Sequence, residues 1–99
     1  MADTPDTPAL TVRHAPDASR FEATVGGRLA RLDYRLDGTV MRIHHTEVPR
    51  ELEGRGIASA LVQSAVDHAR AEGLSIHPLC SYVRVWLRRH PEHADLVAG

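Results

Sequence analysis

Lysine is absent from this chain: all twelve basic residues are arginine. Chemistry that ends on a lysine amine therefore cannot end on this protein, and only the N-terminus, Cys80 and weaker nucleophiles could accept a group. Cysteine is nearly absent as well, and Cys80, standing alone, cannot form an internal disulfide. Long apolar runs are missing. The longest are a few residues, against the ~20 that a membrane-crossing helix needs, so no membrane span is expected. Met1 to Thr11 has neither the basic nor the apolar region of a secretory signal, and the expected setting is the reducing cytoplasm. Charge of one sign is also lacking. The net charge is −1 and the arginines are scattered from Arg13 to Arg89, which argues against a nucleic-acid partner.

What is present fits one small domain. A chain of 99 residues buries about 60 to 68% of its unfolded surface, enough for a single modest core. Met1 to Pro8 alternates Asp, Thr and Pro without an apolar anchor and reads as a flexible tail, leaving residues 9–99 as the domain. Leu10, Val12 and His14 suit one face of a first strand, and Phe21, Ala23 and Val25 repeat at period two in a second. Gly26-Gly27 is a hairpin turn into a third strand, about Arg28 to Leu36. Asp37-Gly38 leads to a fourth, about Thr39 to Val48, closed by Pro49.

Ile57, Ala58, Leu61, Val62, Ala65, Val66 and Ala69 then recur at helical spacing and predict a helix over about Gly56 to Ala71, stopped by Gly73. Leu74 to Leu79 is a short apolar strand that such a helix would bring parallel to the fourth. A last helix is expected over about Ser81 to Arg89, ended by Pro91. The predicted fold class is α/β in its α+β form: a mixed sheet of about five strands, an antiparallel meander joined to a parallel β-α-β unit, with two helices.

The chemistry-bearing residues gather where that β-α-β unit would place ligands, past the carboxyl ends of its strands. Glu53-Gly54-Arg55-Gly56-Ile57-Ala58-Ser59 joins a strand to a helix. Its glycines allow a sharp turn, the first helical amides lack intrahelical acceptors, and Arg55 adds positive charge, so the loop can cradle a phosphate. A plain tight turn would look the same. Strand alternation puts His45 and Glu47 on the face of Met41 and Ile43, and an imidazole there is poised for acid/base work or for a hydrogen bond at the core's edge. Cys80, at the start of the last helix, would gain thiolate character as a nucleophile, or would simply pack. The Tyr82 hydroxyl just beyond it could protonate a leaving thiolate. His14 and His68 read as surface residues. His77, Cys80, His90 and His93 imitate a zinc spacing, but Pro91 splits the later pair and the earlier pair straddles a strand end, so no metal is expected.

The runs His45-Thr46-Glu47-Val48-Pro49, Glu51 to Ala58, Pro78 to Val83 and Arg88 to Glu92 together resemble the small GNAT-like N-acetyltransferase family, minimal forms of the GCN5-related acetyltransferase fold. The resemblance implies a sheet that splays between its fourth and fifth strands. Acetyl-CoA would enter the opening, its pyrophosphate on Glu53, Gly54, Arg55, Gly56, Ile57, Ala58 and Ser59, with Val48 beside it. The larger relatives carry Gln or Arg where Glu53 stands, so its carboxylate is expected to point away. The resemblance also selects His45 and Cys80 as the reactive pair. The expected activity is acetyl transfer from a CoA thioester to an amine, whether a small molecule, a protein N-terminus or a partner's lysine; a non-catalytic acyl-CoA sensor or interaction module is the alternative. A monomer or weak dimer is expected.

Overall fold

The computed structural model describes residues 10–98, so the tail expected over residues 1–8 lies outside the described residues. Five strands form one sheet in the order β1-β2-β3-β4-β5: β1 Val12–Ala15, β2 Arg20–Val25, β3 Arg28–Asp37, β4 Val40–Glu47 and β5 Ser75–Pro78. The first three pairings are antiparallel and β4 pairs with β5 in parallel. Between β4 and β5 runs helix α1, Ile57–Glu72, and after β5 comes α2, Ser81–Arg88. This is the mixed sheet and two-helix arrangement that the alternation and helical spacing predict, with ends displaced by a residue or so.

One sheet face is apolar because the alternation is strict. Phe21, Ala23, Ala30, Leu32, Tyr34, Met41, Ile43 and Ile76 are buried there, and α1 lays Ile57, Leu61, Val62, Ala65, Val66 and Ala69 in the same cluster. From α2 come Val83, Trp86 and Leu87. The opposite face is left to solvent at Arg35, Arg42, His44, His45 and Glu47.

His14 and His68 depart from the surface role expected of them. The His14 ring stacks on Phe21 with centroids 4.3 Å apart, lies 4.4 Å from the His68 ring, and has Nε2 2.6 Å from the Tyr34 hydroxyl. The group fills the space between the outer strands and α1. Burial, with the nearby His68 charge, holds His14 below its ordinary pKa of 6.5.

Two irregularities shape the end of β4. Tyr34 pairs with Ile43 but Asp33 pairs with His45, so His44 is an extra residue in β4, a bulge. The parallel ladder with β5 also stops there. Ile43 is its last β4 partner, and the Ile43 carbonyl accepts from the amides of Leu79 at 2.9 Å and Cys80 at 3.1 Å. Beyond it the chains part. At the far edge, Val97 bridges Ile76 in parallel and the Ala98 amide donates to the Ile76 carbonyl at 2.7 Å, covering part of β5. Among the described residues no helix is long and apolar enough to cross a membrane.

Candidate functional site

The bulge changes which side chains face which way. Without it, His45 and Glu47 would continue the face of Met41 and Ile43. With one residue inserted, His44 and His45 both turn to the exposed face, and Thr46 and Val48 take the half-buried positions on the helix side. The expected sharing of a face by His45 and Ile43 is therefore corrected. His45 is 48% exposed, and its Nε2 lies 3.2 Å from Oε1 of Glu47, which also pairs with Arg31 at 3.1 Å.

On the helix side a cleft of about 450 Å³ opens between the end of β4, the glycine loop, the first turn of α1 and the start of α2. Of the predicted residues, Val48, Glu53, Gly54, Gly56, Ile57, Ala58, Ser59 and Tyr82 line it. Arg55 does not; it is exposed, whereas Glu53, expected to point away, is among the lining residues. Thr46 and Leu52 complete the wall, and sequence reasoning missed both.

The loop is built by backbone conformation. Gly54 and Gly56 have φ of 82° and 77°, a left-handed region that costs other residues strain, while a Cβ on either would meet nothing within 4 Å. Conformation rather than crowding requires glycine there. No side chain caps α1, and its first bond runs from the Ala60 amide to the Gly56 carbonyl. The amides of Ile57, Ala58 and Ser59 are thus left without intrahelical acceptors at the cleft, where the helix dipole favours an anion. Ser59 is held from behind. The Trp86 Nε1–H donates to Ser59 Oγ at 2.8 Å, and the indole stacks on His90 at 3.8 Å. Because the indole occupies an acceptor position, the Ser59 hydroxyl hydrogen stays available.

Cys80 joins the cleft through Thr46, with Sγ 3.5 Å from Thr46 Oγ1. Partial burial alone would push its thiol up. Hydrogen bonding from the Thr46 side chain and from the amides of Val83, Tyr82 and Thr46 outweighs that, and the pKa lies below the ordinary 9.0. Burial raises the Tyr82 hydroxyl, against a smaller opposing effect of Arg89, so it keeps its proton well above neutral pH. The structure therefore brings Cys80, Tyr82 and the glycine loop together on one side and leaves His45 on the other. The zinc-like quartet is not assembled: His90 and His93 both flank Trp86, and no three metal-binding side chains converge among the described residues.

A mixed sheet whose parallel pair parts beside a glycine-rich helix start defines an acetyltransferase-type fold. The sequence model described as GCN5-related N-acetyl-transferase matches residues 20–96, and this chain belongs to that family. Protein NATD1 of Gallus gallus is 36% identical over 85 residues, covering 83% of this chain and 77% of the relative. Protein NATD1 of Danio rerio is 32% identical over 93 residues, covering 89% and 84%. The solution structure of a GCN5-like candidate N-acetyltransferase from Staphylococcus aureus superposes with a TM-score of 0.73 at 28% identity, covering 94% of this chain and 92% of that one.

Proposed function

We propose that the protein binds acetyl-CoA in the cleft and transfers the acetyl group to an amine. The observation that carries this reading is the cleft itself, where an uncapped helix start with its glycine loop faces the parted end of β4. Family membership supplies the acyl-CoA class. The free amides of Ile57, Ala58 and Ser59, with the Ser59 hydroxyl, hold the pyrophosphate, and Gly54 and Gly56 let the backbone approach it. Arg55, exposed between Gly54 and Gly56, adds positive charge to the loop without lining the cleft.

The thioester supplies the acetyl carbon: the amine nitrogen bonds to it, the C–S bond breaks, and CoA leaves as a thiolate. The amine's surplus proton goes to His45, whose imidazole the Glu47 carboxylate orients. The Thr46 amide, on the side of β4 that β5 leaves unpaired, turns from the Cys80 sulfur to the carbonyl oxygen and stabilises it as it gains charge. Tyr82 gives its hydroxyl proton to the departing sulfur and recovers one from solvent. In this arrangement the two substrates approach from opposite faces of the sheet, cofactor on the helix side and amine on the His45 side. Direct transfer is preferred. A covalent route, in which the Cys80 sulfur takes the acetyl group before the amine does, draws support from the lowered thiol pKa.

Melting in buffer, CoA, acetyl-CoA and ADP tests the binding step. A ligand at ~10 times its Kd adds roughly 1.4 kcal/mol, or on the order of 5 to 11 °C for a domain of this size. A shift with both CoA forms and little with ADP is expected; no shift at saturation overturns the reading. His45→Ala should then lower transfer by about 10²- to 10⁴-fold while keeping the CoA shift. Cys80→Ser should keep most transfer, and loss of activity there, with an S-acetyl adduct in intact mass of the parent protein, would select the covalent route. The exposure of His45 away from the cleft favours one second reading, a non-catalytic acyl-CoA sensor. It predicts the same melting shift with no transfer to any amine, polyamine or peptide.

A further inference from the structure

We infer that the exposed face of the sheet carries an anion-binding hollow at the mouth of the β4–β5 opening, and that it receives the carboxylate or phosphate group of the amine acceptor. The word acceptor rests on the transferase reading; the anion site stands on its own geometry.

The hollow has a volume of about 170 Å³ and is lined by Arg35, Arg42, His44 and Leu79. Its basic groups arise from strand register. Arg35 pairs directly with Arg42 across β3 and β4, and Arg42 pairs with His77 across β4 and β5, so three basic side chains stand in one row. Like charges directly opposite one another in a sheet oppose folding. The row is therefore an unfavourable placement until an anion sits on it.

Compensation within the chain is incomplete. Asp37 reaches Arg42 at 3.4 Å, but among the described residues no carboxylate pairs with Arg35. Arg84 fastens the chain that leads into Leu79, its Nη1–H donating to the carbonyls of Pro78 at 3.3 Å and Leu79 at 2.8 Å. The same face a few residues away is different. There Arg31 meets both Asp33 and Glu47 at 3.1 Å, and Arg20 is bonded to Glu22, so that end is locally neutral.

Position gives the hollow its purpose. Leu79 directly precedes Cys80, and His44 directly precedes His45. An anion held between the two arginines thus lies on the exposed face that His44 shares with His45, and a short linker would carry its amine to His45. Two planar guanidinium groups suit the oxygen pairs of a carboxylate or phosphate. The small volume admits that group alone, with the rest of the acceptor in solvent.

The test uses the full chain. Inorganic phosphate and acetate are titrated separately into labelled protein while the arginine Nε–H resonances are followed by NMR, with and without CoA. Saturable shifts of Arg35 and Arg42, and of the backbone amides of His44 and Leu79 in the same titration, are expected; in the Arg35→Gln/Arg42→Gln variant, whose side chains lie outside the core, the amide shifts should need about tenfold more anion. Arg35→Gln alone serves if the double variant does not melt cooperatively. Unmoved Arg35 and Arg42 signals, or shifts that persist unchanged in the variants, overturn the hollow. In the second arm, three matched amines bearing a carboxylate, a phosphate or no anion are offered with acetyl-CoA. An anionic amine should be preferred by roughly tenfold in kcat/KM, with the variants losing that preference mainly through KM, and the better of the two anions identifies the acceptor class. Equal use of the neutral amine overturns the acceptor assignment. If CoA leaves the melting temperature unmoved and no amine is acetylated, the transferase reading fails, and the titration by itself decides the hollow.

Discussion

From Val40 to Ile43, β4 is bonded on both sides, to β3 and to β5; from His45 to Glu47 it is bonded to β3 alone. The first half behaves as core. Met41 and Ile43 are fully buried, and each backbone group finds a partner in a ladder. In the second half one row of backbone groups is released into an opening, and the side chains over it are half-buried or exposed. A single strand thus serves as scaffold at one end and as the wall of a site at the other. What separates the two is one inserted residue, His44, together with the departure of the chain after Pro78.

The comparison breaks most visibly in the scaffold half. Ile43→Ala leaves a cavity among fully buried neighbours and should cost about 2 to 5 kcal/mol in denaturant melts, lowering Tm by on the order of 10 °C or more. A loss below about 1 kcal/mol would show that this half is no more essential to stability than the open one.

A smaller effect is expected from the acid limb of stability. Burial and the His68 charge hold His14 below its ordinary 6.5, so the unfolded chain binds the proton more readily than the folded one. The stability contributed by neutral His14 is complete above pH ~6.5 and is lost as pH falls through the depressed folded value. Replacing His14 by Phe should flatten the decline of Tm on the acid side of pH 6.5, and an unchanged slope would assign that decline to other groups.

The smallest change in stability should come from the open half. Thr46→Val keeps the shape and removes one hydroxyl, a loss of about 1 kcal/mol or less. Its signature is chemical: the Thr46 hydroxyl helps to hold the Cys80 thiol pKa down, so the pH midpoint of Cys80 alkylation should be higher in the variant than in the parent protein. The single cysteine makes the readout clean. A midpoint that does not move would mean that the backbone amides set the thiol pKa without the Thr46 hydroxyl.

Much of this architecture was legible along the chain. The period-two runs, the glycine punctuation and the i, i+4 spacing of Ile57, Leu61 and Ala65 predict the five strands and both α-helices, but not the short 3-10 turns Pro16–Ala18, Arg50–Leu52 and Pro91–Leu96; the glycine loop other than Arg55 lines the cleft together with Tyr82. Thr46 was not seen, although a signal existed. Unbroken alternation puts the charge of Glu47 on the apolar face and the Val48 side chain on the wet one, and a slip of one residue at His44 repairs both. That slip sends Thr46 inward and His45 outward. Trp86 was hidden for another reason, since it reaches the site through Ser59, 27 residues away in sequence.

The amino-acid sequence by itself determined the elements, their order and the glycine loop, because period, turn chemistry and positive-φ positions are local properties. It also determined what the protein lacks, from a lysine acceptor to a second thiol. Only the tertiary structure decided which side of β4 each residue faces. A bulge depends on pairing with β3 on one side and on losing β5 on the other, and neither condition exists until the sheet is assembled. The Thr46–Cys80 contact, the exposure of His45 and the row of Arg35, Arg42 and His77 all follow from that register.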